Sequence, residues 1–254
     1  TIEIIPCVFI TNSTFEQVSD IDKLAQNIHK LITDISSTHS INYYQVQFDC
    51  DWTQTTRYSF FNFLEKYKAL EEETIIISST LRLHQVKYTD QMGVPPVDRV
   101  ALMCYNMGDL EDINETNSIF QPSILKQYVN KESHYPLPID IAMPIYSWAV
   151  VYRFGVLQSI SQVSYNSLIS NEKIKLTSSN RFQVLENHYF EGKYYYTDDI
   201  IRYENIEIDS LIAAIDIVTP LKEKDSQLIL FDLSTYNLLN YTNEDLQKIG
   251  QCFH

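Results

Sequence analysis

Apolar residues in the first half of the chain recur with two alternating periods. The stretch Ile2-Glu3-Ile4-Ile5-Pro6-Cys7-Val8-Phe9-Ile10 is a nearly continuous apolar run of strand length. Ser19-Asp20 then precedes Ile21, Leu24, Ile28, Leu31, Ile32 and Ile35 at helical spacing, which predicts a helix capped at its start, with His29 and Lys30 off the apolar stripe. Period two returns across residues 43–52. Gln45, Gln47, Asp49 and Asp51 fall on one face of that strand, and Val46, Phe48, Cys50 and Trp52 on the other. An aromatic helix follows (Tyr58, Phe60, Phe61, Phe63, Leu64, Tyr67), then strands over 74–84, 99–107 and 138–147. Pro136, Pro138 and Pro144 make the last of these irregular or short, because proline cannot donate to a ladder.

Strands alternating with helices, and strands that are nearly all apolar, predict a parallel sheet covered by helices or a (β/α) barrel. The later part is less regular. It offers a hairpin near 181–196 turning at Glu191-Gly192-Lys193, a helix from Ile208 to Val218, a strand over 227–233 and a terminal helix opened by Thr242-Asn243-Glu244-Asp245. Six barrel-type strands are thus predicted: 2–10, 43–51, 74–84, 99–107, 138–147 and 227–233. A full barrel has eight strands in about 250 residues. The expected fold is an α/β (β/α)8 TIM-type barrel forming one domain over 1–254, with two strands ahead of Thr1 and a hairpin insertion near 181–196.

Composition narrows the partners. The 254 residues carry 19 Lys+Arg against 33 Asp+Glu, a net charge of −14, which disfavours nucleic acid and anionic membrane and also serves solubility. Cys7, Cys50, Cys104 and Cys252 show no C-x-x-C spacing and read as free thiols, mostly buried in apolar runs, so no metal is expected. No apolar run reaches the roughly 18 residues of a membrane helix. Only five glycines occur, with no phosphate loop, G-x-S-x-G elbow or H-E-x-x-H pair, and no cofactor is expected. Sequons at Asn12, Asn114 and Asn240 arise readily by chance.

In a barrel, functional residues sit at the C-terminal strand ends. Those positions offer Asp49 and Asp51, Arg82 and His84, Tyr105 and Asn106, Tyr146 and Trp148, and Asp232. Carboxylates, aromatic faces and polar groups that converge are what a carbohydrate site requires. Each also has a plainer structural role: Arg82 as an ion-pair partner of Asp49 or Asp51, His84 as a hydrogen-bonded strand end, Tyr146 and Trp148 as packing.

Three segments carry a family resemblance: Phe48-Asp49-Cys50-Asp51-Trp52-Thr53, Met103-Cys104-Tyr105-Asn106 and Ala142-Met143-Pro144-Ile145-Tyr146-Ser147. In order and spacing they resemble the D-x-D-x-E, M-x-Y-[DN] and seventh-strand motifs of chitinase-like family-18 glycoside hydrolases, in a bacterial branch of secreted or lipid-anchored barrels. The resemblance implies a glycoside hydrolase acting on a glycan or oligosaccharide, in which Asp51 and Tyr105 match the residues that position and hydrogen-bond the substrate's N-acetyl group; taken with the strand-end positions, Asp49, Asp51 and Tyr105 are expected to be catalytic and Trp52, Arg82, His84, Asn106, Tyr146, Trp148 and Asp232 to bind substrate. The family's general acid stands two residues after the second Asp, where this chain has Thr53, which cannot protonate a glycosidic oxygen at neutral pH. Asp109, Glu111, Asp112 and Asp232 are the candidate replacement acids by position, and none sits in a motif. The alternatives are a glycan-binding barrel without catalysis, or a scaffold protein in which Arg82 neutralises the two carboxylates.

Overall fold

The computed structural model describes residues 2–238 and 240–253. All six predicted strands form, trimmed by the residues at their ends. β1 (Cys7–Phe9), β2 (Gln45–Asp49), β3 (Ile76–Arg82), β4 (Arg99–Met103) and β5 (Ile139–Pro144) are parallel neighbours in that order. Pro6 and Pro138 stand just before β1 and β5. Their carbonyls still accept hydrogen bonds, from Gln47 N at 2.9 Å and Val100 N at 2.9 Å, so each proline opens a strand without breaking the ladder.

After β5 the chain builds a second, antiparallel sheet that, apart from a hairpin, the hydrophobic pattern does not predict. β6 (Trp148–Arg153), β7 (Val156–Ser161), β8 (Ile174–Ser178), β9 (Arg181–Val184) and β12 (Ile200–Glu204) are ordered β7-β6-β12-β9-β8. β10 (His188–Phe190) and β11 (Lys193–Tyr195) pair separately as a hairpin across Glu191-Gly192. That hairpin is shorter than the 181–196 expectation, because β9 bonds to β8 and β12 instead. β13 (Leu228–Phe231) then lies beside β5, with Ile141 N bonding to Gln227 O and Ile145 N to Phe231 O, a register that rises together as in parallel pairs.

The chain forms two compact units. The first takes in the described residues up to Met103, with Tyr128–Ala142 and Val218–Ile229. Its helices Ile21–Thr38 and Arg57–Lys68 are the two predicted from periodicity, and the Asp20 carboxylate caps the former by accepting from Lys23 N at 2.9 Å. Its core is aromatic: Phe48 meets Phe63 and Tyr67 edge-on at 5.1 and 4.7 Å, and Trp52 stacks on Phe60 at 5.4 Å. The second unit takes in Cys104–Gln127, Met143–Ile217 and the described residues from Leu230 onward. One face of its antiparallel sheet is buried through Ala149, Val151, Phe182, Val184, Ile201 and Tyr203.

Candidate functional site

In the first unit, β2 and β3 are in register Gln47↔Ser78, so odd residues of β2 share a face with even residues of β3. Three polar pairs climb that face. Gln45 Nε2 donates to Ser78 Oγ at 2.8 Å, Thr80 Oγ1 donates to Asp49 Oδ1 at 2.7 Å, and Arg82 grips Asp51 with two bonds, Nε to Oδ1 at 2.5 Å and an Nη to Oδ2 at 2.6 Å. The opposite face carries Val46, Phe48, Cys50 and Trp52, all buried. The row opens outward as it rises. Gln45 is buried, whereas the Asp51 side chain is 43% exposed and that of Arg82 27%.

The two carboxylates therefore differ. Burial raises the Asp49 carboxyl above its ordinary value, the Asp51 charge pushes it further in the same direction, and the Thr80 hydroxyl and Arg82 draw it back. Asp51 is held in a bidentate ion pair of fixed geometry. His84 was expected on β3, but the strand stops at Arg82, whose N–H donates to Gln85 Oε1 at 2.7 Å and starts the short helix Leu83–Lys87. His84 sits on that helix, and partial burial together with the Arg82 charge lowers its pKa so that the neutral imidazole is favoured.

Trp52, expected to contact substrate, is fully buried instead. Its parity on the strand turns it to the core, where Nε1 donates to Met92 O at 3.1 Å. Thr53 is occupied locally: its N–H donates to Thr56 Oγ1 at 2.9 Å and its carbonyl accepts from Arg57 N at 2.9 Å, which leads into the helix Arg57–Lys68. Asn12 fastens this turn to the rest of the unit. Its amide nitrogen donates to the Asp51 carbonyl, and its amide oxygen accepts from Thr56 Oγ1 at 2.7 Å. The sequence flagged Asn12 only as a sequon, so its bracing role had no signal.

In the second unit the residues after β4 and β5 gather into an aromatic group. The Tyr105 ring lies flat on Phe231, centroids 4.9 Å apart and planes within 8°, and meets Tyr146 edge-on at 6.2 Å. Tyr146 OH donates to Asn106 Oδ1 at 2.6 Å, and its ring lies 5.3 Å from that of Trp148. Phe231, 43% exposed, has no sequence signal beyond its place in a strand. Three of the four candidate replacement acids accept local hydrogen bonds: Asp109 from Glu111 N at 2.9 Å, Asp112 from Asn114 N at 2.8 Å, and Asp232 from the Asn237 side chain. Glu204, which the sequence reading passed over, is buried and accepts from the Trp148 indole at 2.8 Å. Among the described residues no three His, Cys, Asp or Glu side chains are placed to hold a metal, and no helix is long and apolar enough to cross a membrane.

No family model matches the sequence, and no curated protein matches it. Solved structures do match the fold. The spore cortex-lytic enzyme SleL of Bacillus cereus aligns over 98% of this chain and 60% of its own at 14% identity, with a TM-score of 0.55. SleL of Bacillus megaterium aligns over 99% and 60% at 12% identity and a TM-score of 0.53, so this chain spans 60% of the length of both enzymes. A chitinase from Chromobacterium violaceum aligns over 97% of this chain and 78% of its own at 12% identity, with a TM-score of 0.56. The folds that this chain resembles are those of chitinase-like glycoside hydrolases, the group its strand-end motifs resemble.

Proposed function

We propose that this chain is a glycan-directed (β/α)8-type barrel protein, with β1–β5 and β13 as barrel strands, that binds an N-acetylamino sugar polymer at the Asp49–Asp51–Arg82 row without cleaving it. The observation that carries the reading is the Asp51–Thr53 segment. A fixed carboxylate stands at the strand end, while the side chain two residues on is a threonine used to start a helix. Such a row can orient hydroxyl and N-acetyl groups, but it lacks a carboxylic acid where the leaving oxygen needs one. The solvent exposure of Asp51 favours this over a scaffold whose charges merely neutralise each other. In the first unit His84 adds a neutral imidazole as hydrogen-bond partner; in the second unit, taken by itself, Tyr105, Asn106, Tyr146 and Trp148 form an aromatic and polar group of a kind suited to sugar rings. A secreted or envelope-exposed location fits a cell-wall glycan.

A second reading, glycoside hydrolysis, draws on one observation: the Asp49 carboxyl holds its proton to a higher pH than an ordinary aspartate, as a general acid must. Calorimetry with chitotetraose and peptidoglycan fragments, with chromatography of the same mixtures after long incubation, separates the two. Binding without product is expected, and binding should weaken about tenfold or more in Arg82→Met, which frees Asp51 from its fixed orientation. Product that disappears in Asp49→Asn would establish hydrolysis. No binding to any fragment would overturn the glycan reading.

A further inference from the structure

The second unit contains a buried carboxylate that none of the strand-end motifs explains. Glu204 and Arg202 side chains are both 0% exposed, and Arg202 Nε donates to Glu204 Oε1 at 2.5 Å. A plain ion pair would direct both carboxylate oxygens to the guanidinium. Here Oε2 is turned elsewhere: it accepts from Trp148 Nε1 at 2.8 Å, Ser118 Oγ at 2.7 Å, Ser118 N at 2.8 Å and Ile119 N at 3.2 Å. Arg202 is itself anchored, through Nη1 to Asp112 O at 2.6 Å. The carboxylate thus binds a half-buried indole to the segment at 118–119 and to a fixed cation.

We infer that Glu204 is a positioning residue for sugar recognition, fixing the Trp148 indole as a preset stacking platform. This rests on the glycan reading above and adds a residue to it. A stacking ring pays for binding in lost rotamer freedom, and a side chain already held by a charge-assisted hydrogen bond has less to lose. The neighbouring ring is held in the same manner, Tyr146 through Asn106. A glutamine at 204 would not substitute: it has one oxygen where the carboxylate has two, and its amide brings donors into a place already filled with them.

The test uses the full chain with 15N-labelled tryptophan, which has two indole N–H signals, from Trp52 and Trp148. Trp148→Phe identifies which is which. In Glu204→Gln the Trp148 indole proton should move upfield and exchange faster with water, while the Trp52 signal, set by Met92 O in the first unit, stays in place, and an unchanged circular dichroism spectrum reports that the second unit is folded as well. Chitotetraose affinity should fall about tenfold in the same variant. If Glu204→Gln fails to fold because Arg202 is left uncompensated, the double variant Arg202→Met with Glu204→Gln removes that buried charge and carries the same expectation. A Trp148 signal that does not move in a folded variant overturns the inference. So does a moved signal with unchanged chitotetraose affinity. If the unsubstituted protein binds no chitotetraose, the glycan reading fails, and with it the recognition role of Glu204, while the indole shift still decides whether Glu204 fixes Trp148.

Discussion

Asp49 and Asp51 stand two residues apart on one strand face and do opposite things. Asp51 reaches solvent and is held by a guanidinium, whereas Asp49 is sunk one step lower against Thr80, where burial favours its protonated form. The sign of the pH effect follows. With its folded pKa above the unfolded value, Asp49 binds more protons folded than unfolded between the two, so its contribution to stability falls as pH rises through that window. His84 works oppositely and elsewhere: its lowered pKa makes stability rise with pH just below its unfolded value of about 6.5. Taking the difference between Asp49→Asn and the unsubstituted protein isolates Asp49. Urea unfolding from about pH 3.5 to pH 7 should show the variant gaining relative stability as pH rises. A difference that stays flat across that range would contradict the burial of this carboxyl. Strand parity made both acids legible in the sequence. It also assigned Trp52 to the opposite face, so the alternation itself argued against a substrate contact there. Glu204 was not legible, because a carboxylate in Ile200–Glu204 looks the same whether its partners are water or an indole.

At the scale of elements, the turn joining β2 to the helix Arg57–Lys68 decides whether the Asp51 carboxylate has a fixed place. Thr53 and Thr56 bond to each other, and Asn12, from a different helix, ties Thr56 Oγ1 and the Asp51 carbonyl together. Asn12→Ala removes both braces and leaves the Thr56 hydroxyl, in a 1% exposed residue, without that acceptor. The expected cost is about 1–3 kcal/mol in urea unfolding, with weaker chitotetraose binding. A loss within about 0.5 kcal/mol would mean that the turn is held by its own hydrogen bonds. β4 and β5 could be read from sequence because they are buried on both faces and nearly all apolar, and β2 because its polar and apolar residues alternate. The antiparallel strands outside the β10–β11 hairpin could not. β8 has one buried residue followed by four exposed ones, and the β6–β7 hairpin turns on Phe154-Gly155 with φ of 51° and 80°, a geometry usually signalled by Asn-Gly or Asp-Gly.

At the scale of the whole molecule, charge and site chemistry constrain the ligand together. A net charge of −14 sets up a repulsive field for any polyanion, and that field is screened within about 8–10 Å at ordinary salt. The polar row of the first unit contains one cation, Arg82, which holds the Asp51 carboxylate by two hydrogen bonds. Recognition of a neutral N-acetylated sugar would therefore rest on hydrogen bonds and stacking, neither of which salt screens strongly. Chitotetraose affinity should change less than about twofold between low salt and about half-molar sodium chloride. An acidic polysaccharide such as hyaluronan should bind more weakly and gain affinity as salt is added, because salt relieves the repulsion first. The reverse pattern, tight binding of the acidic polymer that decays with salt, would require a basic surface that the first unit's polar row does not supply, and would move the search for the ligand away from Asp49 and Asp51.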